Sequence, residues 1–445
     1  MKYSVFLLLI SCTVFSQKHS KDDEVKKYVS QVSEDSLKSY IGKLVGFETR
    51  HTLSTVDDSK HGIGAARNWV IEKFNDYAKN SGGRMEVYLQ QEDLQPDGKR
   101  IDKAVSLGNA VAFLKGTDPD DKRIFLIGGH LDSRVTDVMN RTSKAPGAND
   151  DGSGVSAVIE SARILSRSSF PASIIFVAFS GEEQSLLGSK QLAEKIKREG
   201  LQLEAVLNND MIGNPKAGET GEVNTRILRV FSEGLPYKDL DKKAMAIRNL
   251  GFENDSESRQ LARYIKEITE QYIKGLEIKL IYRNDRFLRG GDHTSFVNNG
   301  FPSVRLTEYY ENYDHQHQDI RVENNKQYGD LPEFIDFKYL KKNAAANIAV
   351  LANLAKSTSK PEKVEMDVKE LTNSTTLHWE KPKSGTPAGY YVLARETDSP
   401  VWQKKIFTTG LSIKVPLSKD NYIFAVQTIS QSGNVNVPVI PGIAK

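Results

Sequence analysis

Three turns rich in carboxylate and imidazole fall within one stretch of this chain, Lys122 to Leu187. They are Gly128-Gly129-His130-Leu131-Asp132-Ser133, Gly147-Ala148-Asn149-Asp150-Asp151-Gly152-Ser153-Gly154 and Ser180-Gly181-Glu182-Glu183. Asn208-Asn209-Asp210 follows, and two late histidines, His315 and His317, lie further on. Imidazole mixed with carboxylate is a ligand set for zinc. Each turn also has a plainer use: Asp150, Asp151 and Ser153 could cap a helix, and Glu182 and Glu183 could be acids favoured by a helix dipole. A calcium loop is excluded, because its first and twelfth positions would be Gly147 and Val158, neither able to coordinate as required.

Together, His130, Asp150, Glu183, Asp210 and His315 make five oxygen or nitrogen ligands, enough for two zinc ions. With Asp150 as a bridge, His130 and Asp210 would complete one ion and Glu183 and His315 the other. An open position remains on each for a shared water. Three carboxylates and a hydroxide neutralise two divalent cations, so such a centre can be buried. Glu182, beside a ligand but not needed as one, is free to act as general base. Asp132 is suited to accept the hydrogen bond of the other ring nitrogen of His130.

These motifs resemble the secreted di-zinc aminopeptidases of peptidase family M28, over about residues 45 to 355. The resemblance implies His130 from a His-x-Asp motif, bridging Asp150, base Glu182 and ligand Glu183 from Gly-Glu-Glu, and ligand Asp210 from Asn-Asp-Met-Ile-Gly. It also implies a last ligand from His-x-x-x-Asp, which selects His315, four residues before Asp319, over His317, two before it. The family often has Tyr directly before that histidine, whereas here Asp314 intervenes after Tyr313. The implied reaction is hydrolysis of the N-terminal bond of peptides with a free N-terminus, with a metal-bridging hydroxide as nucleophile and Glu182 as base. A related dipeptidase or carboxypeptidase, or a non-catalytic binding or adhesion protein, are the competing readings. Glutaminyl cyclase chemistry is disfavoured by the complete ligand set for a second metal. There is no His-Glu-x-x-His helix, no Gly-x-Ser-x-Gly elbow and no Gly-Lys-Ser/Thr phosphate loop. Asp292-His293 resembles a family motif near the site, with packing support as its plainer use.

The turns need strands to hold them. Arg123–Ile127 and Ser173–Phe179 are apolar, β-branched and aromatic, and Leu203–Asn208 repeats the pattern before Asp210. Helical periodicity follows Asp151 and Glu183, recurs over 256–273, and closes the unit over 339–356. Alternating strand and helix predict an α/β fold, a mixed central sheet with helices on both faces and ligands at the strand ends. A Ser/Thr/Lys/Pro stretch at 357–362 reads as a linker. Over 363–445 short alternating strands replace the helices, predicting a small β-sandwich that resembles a fibronectin type III module, with Tyr422 placed like a tyrosine corner.

With 445 residues, 38% apolar and 27% charged, the chain can bury a sizeable core. A net charge of +3 gives no reason to invoke nucleic acid or an anionic membrane. Residues 1–16, with Lys2, a short apolar run and Ser16, predict an export signal, leaving a peptidase domain over 17–356 that is secreted or periplasmic. The single cysteine, Cys12, lies in that signal; a lipoprotein anchor at Cys12 is disfavoured because the apolar run continues to Phe15. No later stretch is apolar for the roughly 18 residues a membrane span needs.

Overall fold

The computed structural model describes residues 22–235, 242–369 and 371–444. The expected signal lies outside them. Eight strands form one sheet: β1 (Met85–Leu94), β2 (Val105–Leu114), β3 (Arg123–His130), β4 (Ser173–Phe179), β5 (Gln202–Asn209), β6 (Ile227–Ser232), β7 (Glu277–Ile281) and β8 (Ser303–Glu308). Their order is β1-β2-β4-β3-β5-β8-β6-β7. The four central strands β4, β3, β5 and β8 run parallel, while β2 and β6 flank them antiparallel. Every residue of β3, β4 and β8 is buried, as a sheet covered on both faces requires.

One face of the sheet is covered by the helices Gly152–Leu165 and Phe337–Lys356, both almost wholly buried in the main apolar cluster. The other face packs Leu192, Ala193, Ile196 and Phe296 against Leu126, Val177 and Val206. The parallel strands all end at the same edge, where the chain turns into His130, Ser180–Glu183 and Asp210. At that edge backbone approaches closely: a Cβ on Gly154 would lie 2.4 Å from an Asp151 carboxylate oxygen and 2.6 Å from the Asn209 carbonyl.

The C-terminal residues form two small sheets. One is built from Glu362–Met366, Thr375–Glu380, Ser412–Val415 and Gly442–Ile443, the other from Gly389–Glu396, Lys404–Thr408 and Tyr422–Ile429. Their facing residues, among them Leu377, Trp379, Tyr390, Val392 and Phe424, share one buried cluster, so they form a sandwich. Beyond Ile429 the chain adds isolated bridges, Ile429 to Val435 and Val426 to Val439.

The stretch 357–362 does not hang free as its composition suggests. Ser357, Thr358 and Ser359 are buried, and Arg123 donates to the carbonyls of Ser357 at 2.6 Å and Thr358 at 3.1 Å. The sandwich is docked: Tyr391, Leu393, Ala425, Ile429, Val435 and Val437 belong to the same apolar cluster as the main helices. Buried Arg395 reaches Asp255 at 2.7 Å, and Tyr264 donates its hydroxyl to the Val435 carbonyl at 3.0 Å.

Candidate metal centre

His130, the last residue of β3, is held at both ends of its local geometry. Its backbone N–H donates to the Asp151 carboxylate at 2.9 Å, and Nδ1 stands 3.0 Å from the Asp132 carbonyl oxygen. The carbonyl fixes Nδ1 as the protonated nitrogen, which leaves the Nε2 lone pair facing outward. That atom lies 3.0 Å from Asp150 Oδ1 and 3.9 Å from Asp210 Oδ1. The other oxygen of Asp150 lies 3.0 Å from Nε2 of His317, which is in turn 2.7 Å from Glu183 Oε1. Two three-residue groups, His130/Asp150/Asp210 and Asp150/Glu183/His317, therefore share Asp150, each with its ligand atoms within 4.8 Å of one another.

This arrangement brings together four of the five expected ligands and replaces the fifth. His315 is elsewhere, its ring stacked on Phe334 with centroids 3.6 Å apart, and burial pushes its pKa down to about 4. The spacing to Asp319 that selected His315 does not decide which ring enters the centre, because the segment turns back on itself. His315 and Gln316 both donate their N–H to the Asn312 carbonyl, forming a tight turn, and His317 then adopts a left-handed φ of 55°. That reversal swings His317 inward, and Gln316 follows it to donate to Asp150 Oδ2 at 3.0 Å.

Asp132 also departs from expectation. Its backbone carbonyl, not its carboxylate, serves His130; the carboxylate is 3.9 Å from that ring. Instead it accepts N–H bonds from Gly181 at 2.9 Å, Glu182 at 3.2 Å and Glu183 at 3.1 Å, and the Thr52 hydroxyl at 3.0 Å. It is the anchor of the loop that carries Glu182 and Glu183. The two neighbouring aspartates divide the two uses foreseen for them. Asp151 caps the helix Gly152–Leu165 through Gly154 N–H and also takes Met211 N–H, whereas Asp150 faces the centre.

Glu182 is half-buried in the wall of the same cavity as His130, Asp150 and Asp210. Burial and the carboxylates of Glu183, Asp210 and Asp292 push its carboxyl well up, against His130, which pulls it down. Burial lowers His317, but Glu183 and Asp150 outweigh it and bring the imidazole up to about 9. Asp292 is buried and pushed up to about 7 by that burial, while His293 leans on the Asn284 carbonyl at 2.9 Å as a packing residue.

Residues with no ligand chemistry of their own aim the site. Arg305, fully buried in β8, reaches Asp210 Oδ1 at 2.9 Å and Asp285 at 3.3 Å. Asp330 accepts the backbone N–H of Asp150 at 2.7 Å, and Arg50 donates to the carbonyls of Leu131 at 2.7 Å and Gly147 at 2.9 Å. One signal of Arg305 was present in the sequence, a charge inside the apolar run Val304-Arg305-Leu306, since an arginine there requires a buried partner.

The residues fit a pair of zinc ions. Glu183 Oε1 is buried without a hydrogen bond although a histidine nitrogen lies 2.7 Å away, which is how two ligands converge on a common point rather than on each other. One bridging carboxylate, two terminal carboxylates and two imidazoles match borderline divalent metal.

The comparisons with known proteins agree in class. The model of peptidase family M28 matches residues 109–335. A probable zinc metalloprotease of Leptosphaeria maculans is 41% identical, covering 94% of this chain and 97% of that one, and one from Pyrenophora tritici-repentis is 40% identical over 94% and 87%. Among solved structures, the LapA aminopeptidase of Legionella pneumophila has the same fold at 18% identity, with a TM-score of 0.53 over 80% of this chain and 78% of that one. The chain belongs to peptidase family M28 and is a zinc metallopeptidase.

Proposed function

We propose that the chain is an exported di-zinc aminopeptidase with Glu182 as general base. The observation that carries this reading is the sharing of Asp150 between two ligand groups with Glu182 in the same cavity wall. His130 and Asp210 would hold one ion, Glu183 and His317 the other. When bound, the pair supplies Lewis-acid polarisation of a carbonyl and a more acidic water. Glu182 takes the proton of the attacking water and passes it to the leaving amine. Asp132 keeps the Glu182 loop in register through three backbone N–H groups. A cavity of about 490 Å³ suits a terminal residue or two rather than a long segment. LapA, a neighbour in fold, is an aminopeptidase, which points the same way. Export rests on the residues of the expected signal, 1–16, and the sandwich is read as a fibronectin type III-like module.

The test is Glu182→Gln, which keeps volume and removes the proton acceptor. Both zinc equivalents should remain while kcat on free N-terminal peptides falls by about 100- to 10,000-fold. Near-normal turnover, or cleavage confined to N-terminally blocked peptides by the unaltered enzyme, refutes the reading.

A further inference from the structure

We infer that the cavity selects substrates carrying a carboxylate close to the scissile bond, either an acidic side chain or a free α-carboxylate, and that Arg289 and Arg100 hold it. The inference rests on the peptidase reading above for the position of the bond and adds the substrate class. Four guanidinium groups line the cavity, those of Arg100, Arg134, Arg286 and Arg289, against two large aliphatic side chains, Leu186 and Leu288. The carboxylates in the same wall, Asp150, Glu182, Glu183 and Asp210, are those already assigned to the metals and the base. Two divalent cations would balance these four carboxylates; Arg134 is itself paired with Glu183 at 3.2 Å and Arg286 with Glu311 at 2.8 Å, which leaves Arg100 and Arg289 as the positive charge without an acid at hydrogen-bond distance.

The surrounding acids do not absorb that surplus. Glu311 is shared by Arg229 at 2.8 Å, Arg286 at 2.8 Å and, more remotely, Arg289 at 3.8 Å. Asp285 is shared by Arg286 at 3.0 Å and Arg305 at 3.3 Å. Arg100 and Arg289 donate to neutral acceptors, the Glu183 carbonyl at 3.2 Å and Gln316 Oε1 at 3.1 Å. Arg134 Nη2 stands 2.7 Å from Nδ1 of His317. An aliphatic or cationic substrate group in this cavity would cover guanidinium groups without satisfying them, whereas a carboxylate meets them with charge-assisted, forked hydrogen bonds.

The experiment uses the full-length, zinc-loaded enzyme. Reporter substrates beginning with Asp, Glu, Ala, Leu and Lys are compared by kcat/KM, alongside dipeptides with free and amidated C-termini. Carboxylate-bearing substrates should lead Leu by about tenfold or more, the scale of one charge-assisted hydrogen bond. Arg289→Ala and Arg100→Ala should each erode that lead about tenfold, chiefly through KM, and Arg289→Glu should shift preference toward Lys. Acidic reporters leading place the carboxylate on the side chain; free dipeptides leading place it at the C-terminus.

Calorimetry on zinc-loaded Glu182→Gln supplies a readout without turnover. Aspartate, glutamate or Ala-Glu should bind at least about tenfold tighter than leucinamide, which has no carboxylate, and more weakly as salt rises. Preference for Leu or Lys, or carboxylate ligands binding no tighter than leucinamide, overturns the inference. Failure to cleave any peptide removes the aminopeptidase reading instead, and the calorimetry still decides the charge of the ligand.

Discussion

Replacing each late histidine with alanine separates the two candidate ligands. In the structure His317 Nε2 stands 3.0 Å from Asp150 and 2.7 Å from Glu183, whereas the His315 ring lies flat on Phe334. His317→Ala leaves only two protein ligands at the second position. Loss of groups that merely orient a ligand costs about 10- to 100-fold in metal affinity, so loss of the ligand itself should cost at least about 100-fold. The metal-free imidazole, held up to about 9, must also give up its proton when metal binds. At pH 7 that proton weakens zinc binding by about 100-fold relative to pH above 9, so affinity at this position should climb about tenfold per pH unit. The assay is metal analysis after dialysis against buffered zinc at several pH values. The unaltered protein and His315→Ala should hold two equivalents. His317→Ala should hold one and lose the pH dependence of the second. His315→Ala should cost only the ring stack and local packing, about 0.5–1.5 kcal/mol of stability. Loss of an equivalent from His315→Ala, with both retained in His317→Ala, would refute the geometry.

Asp132→Asn removes the negative charge that gathers three backbone N–H groups, so kcat should fall and zinc at the Glu183 position should weaken by about 10- to 100-fold with the fold intact by circular dichroism; unchanged kcat and zinc content would show that the loop holds itself. Arg395→Ala leaves Asp255 in a buried pair with Arg263 alone, and should cost about 3 kcal/mol in denaturant unfolding while kcat on short peptides stays within about twofold; a stability within error of the parent would mean the sandwich is not held through this contact. The metal-free protein should lose stability as pH rises. The folded pKa of His317 is raised from 6.5 to about 9, so the stabilisation it gives is complete below 6.5 and gone above 9. A metal-free Tm that climbs across that window contradicts the sign.

Much of the site could be read from strands and turns. Apolar runs such as Ile124–Ile127 and Ile174–Phe179 can only be buried, and the polar residues directly after them must then emerge at the sheet edge. His130, Glu183 and Asp210 follow from that logic, because each sits at or within a few residues of a strand end, and Asp150 is placed by the capped helix Gly152–Leu165 that it precedes. Asp151 and Asp150 show how far it goes: the sequence presents both uses, cap and ligand, and the structure gives one to each.

What the sequence by itself determined is therefore the family, the α/β sheet and the candidate ligands tied to regular elements. Tertiary structure alone decided the rest. The inward turn of His317 depends on a tight turn at Asn312–Gln316 and a left-handed residue after it, neither of which follows from counting the spacing to Asp319. The carboxylate of Asp132 turned from its own histidine to a loop about 50 residues away, because three converging N–H groups outbid one ring nitrogen already served by a carbonyl. The burial of 357–359 was likewise decided by Arg123, whose guanidinium, inside the fold, needs the carbonyls that this polar stretch supplies. Long-range partners of buried charge are set by where the chain returns in space, and a single sequence does not encode that distance locally.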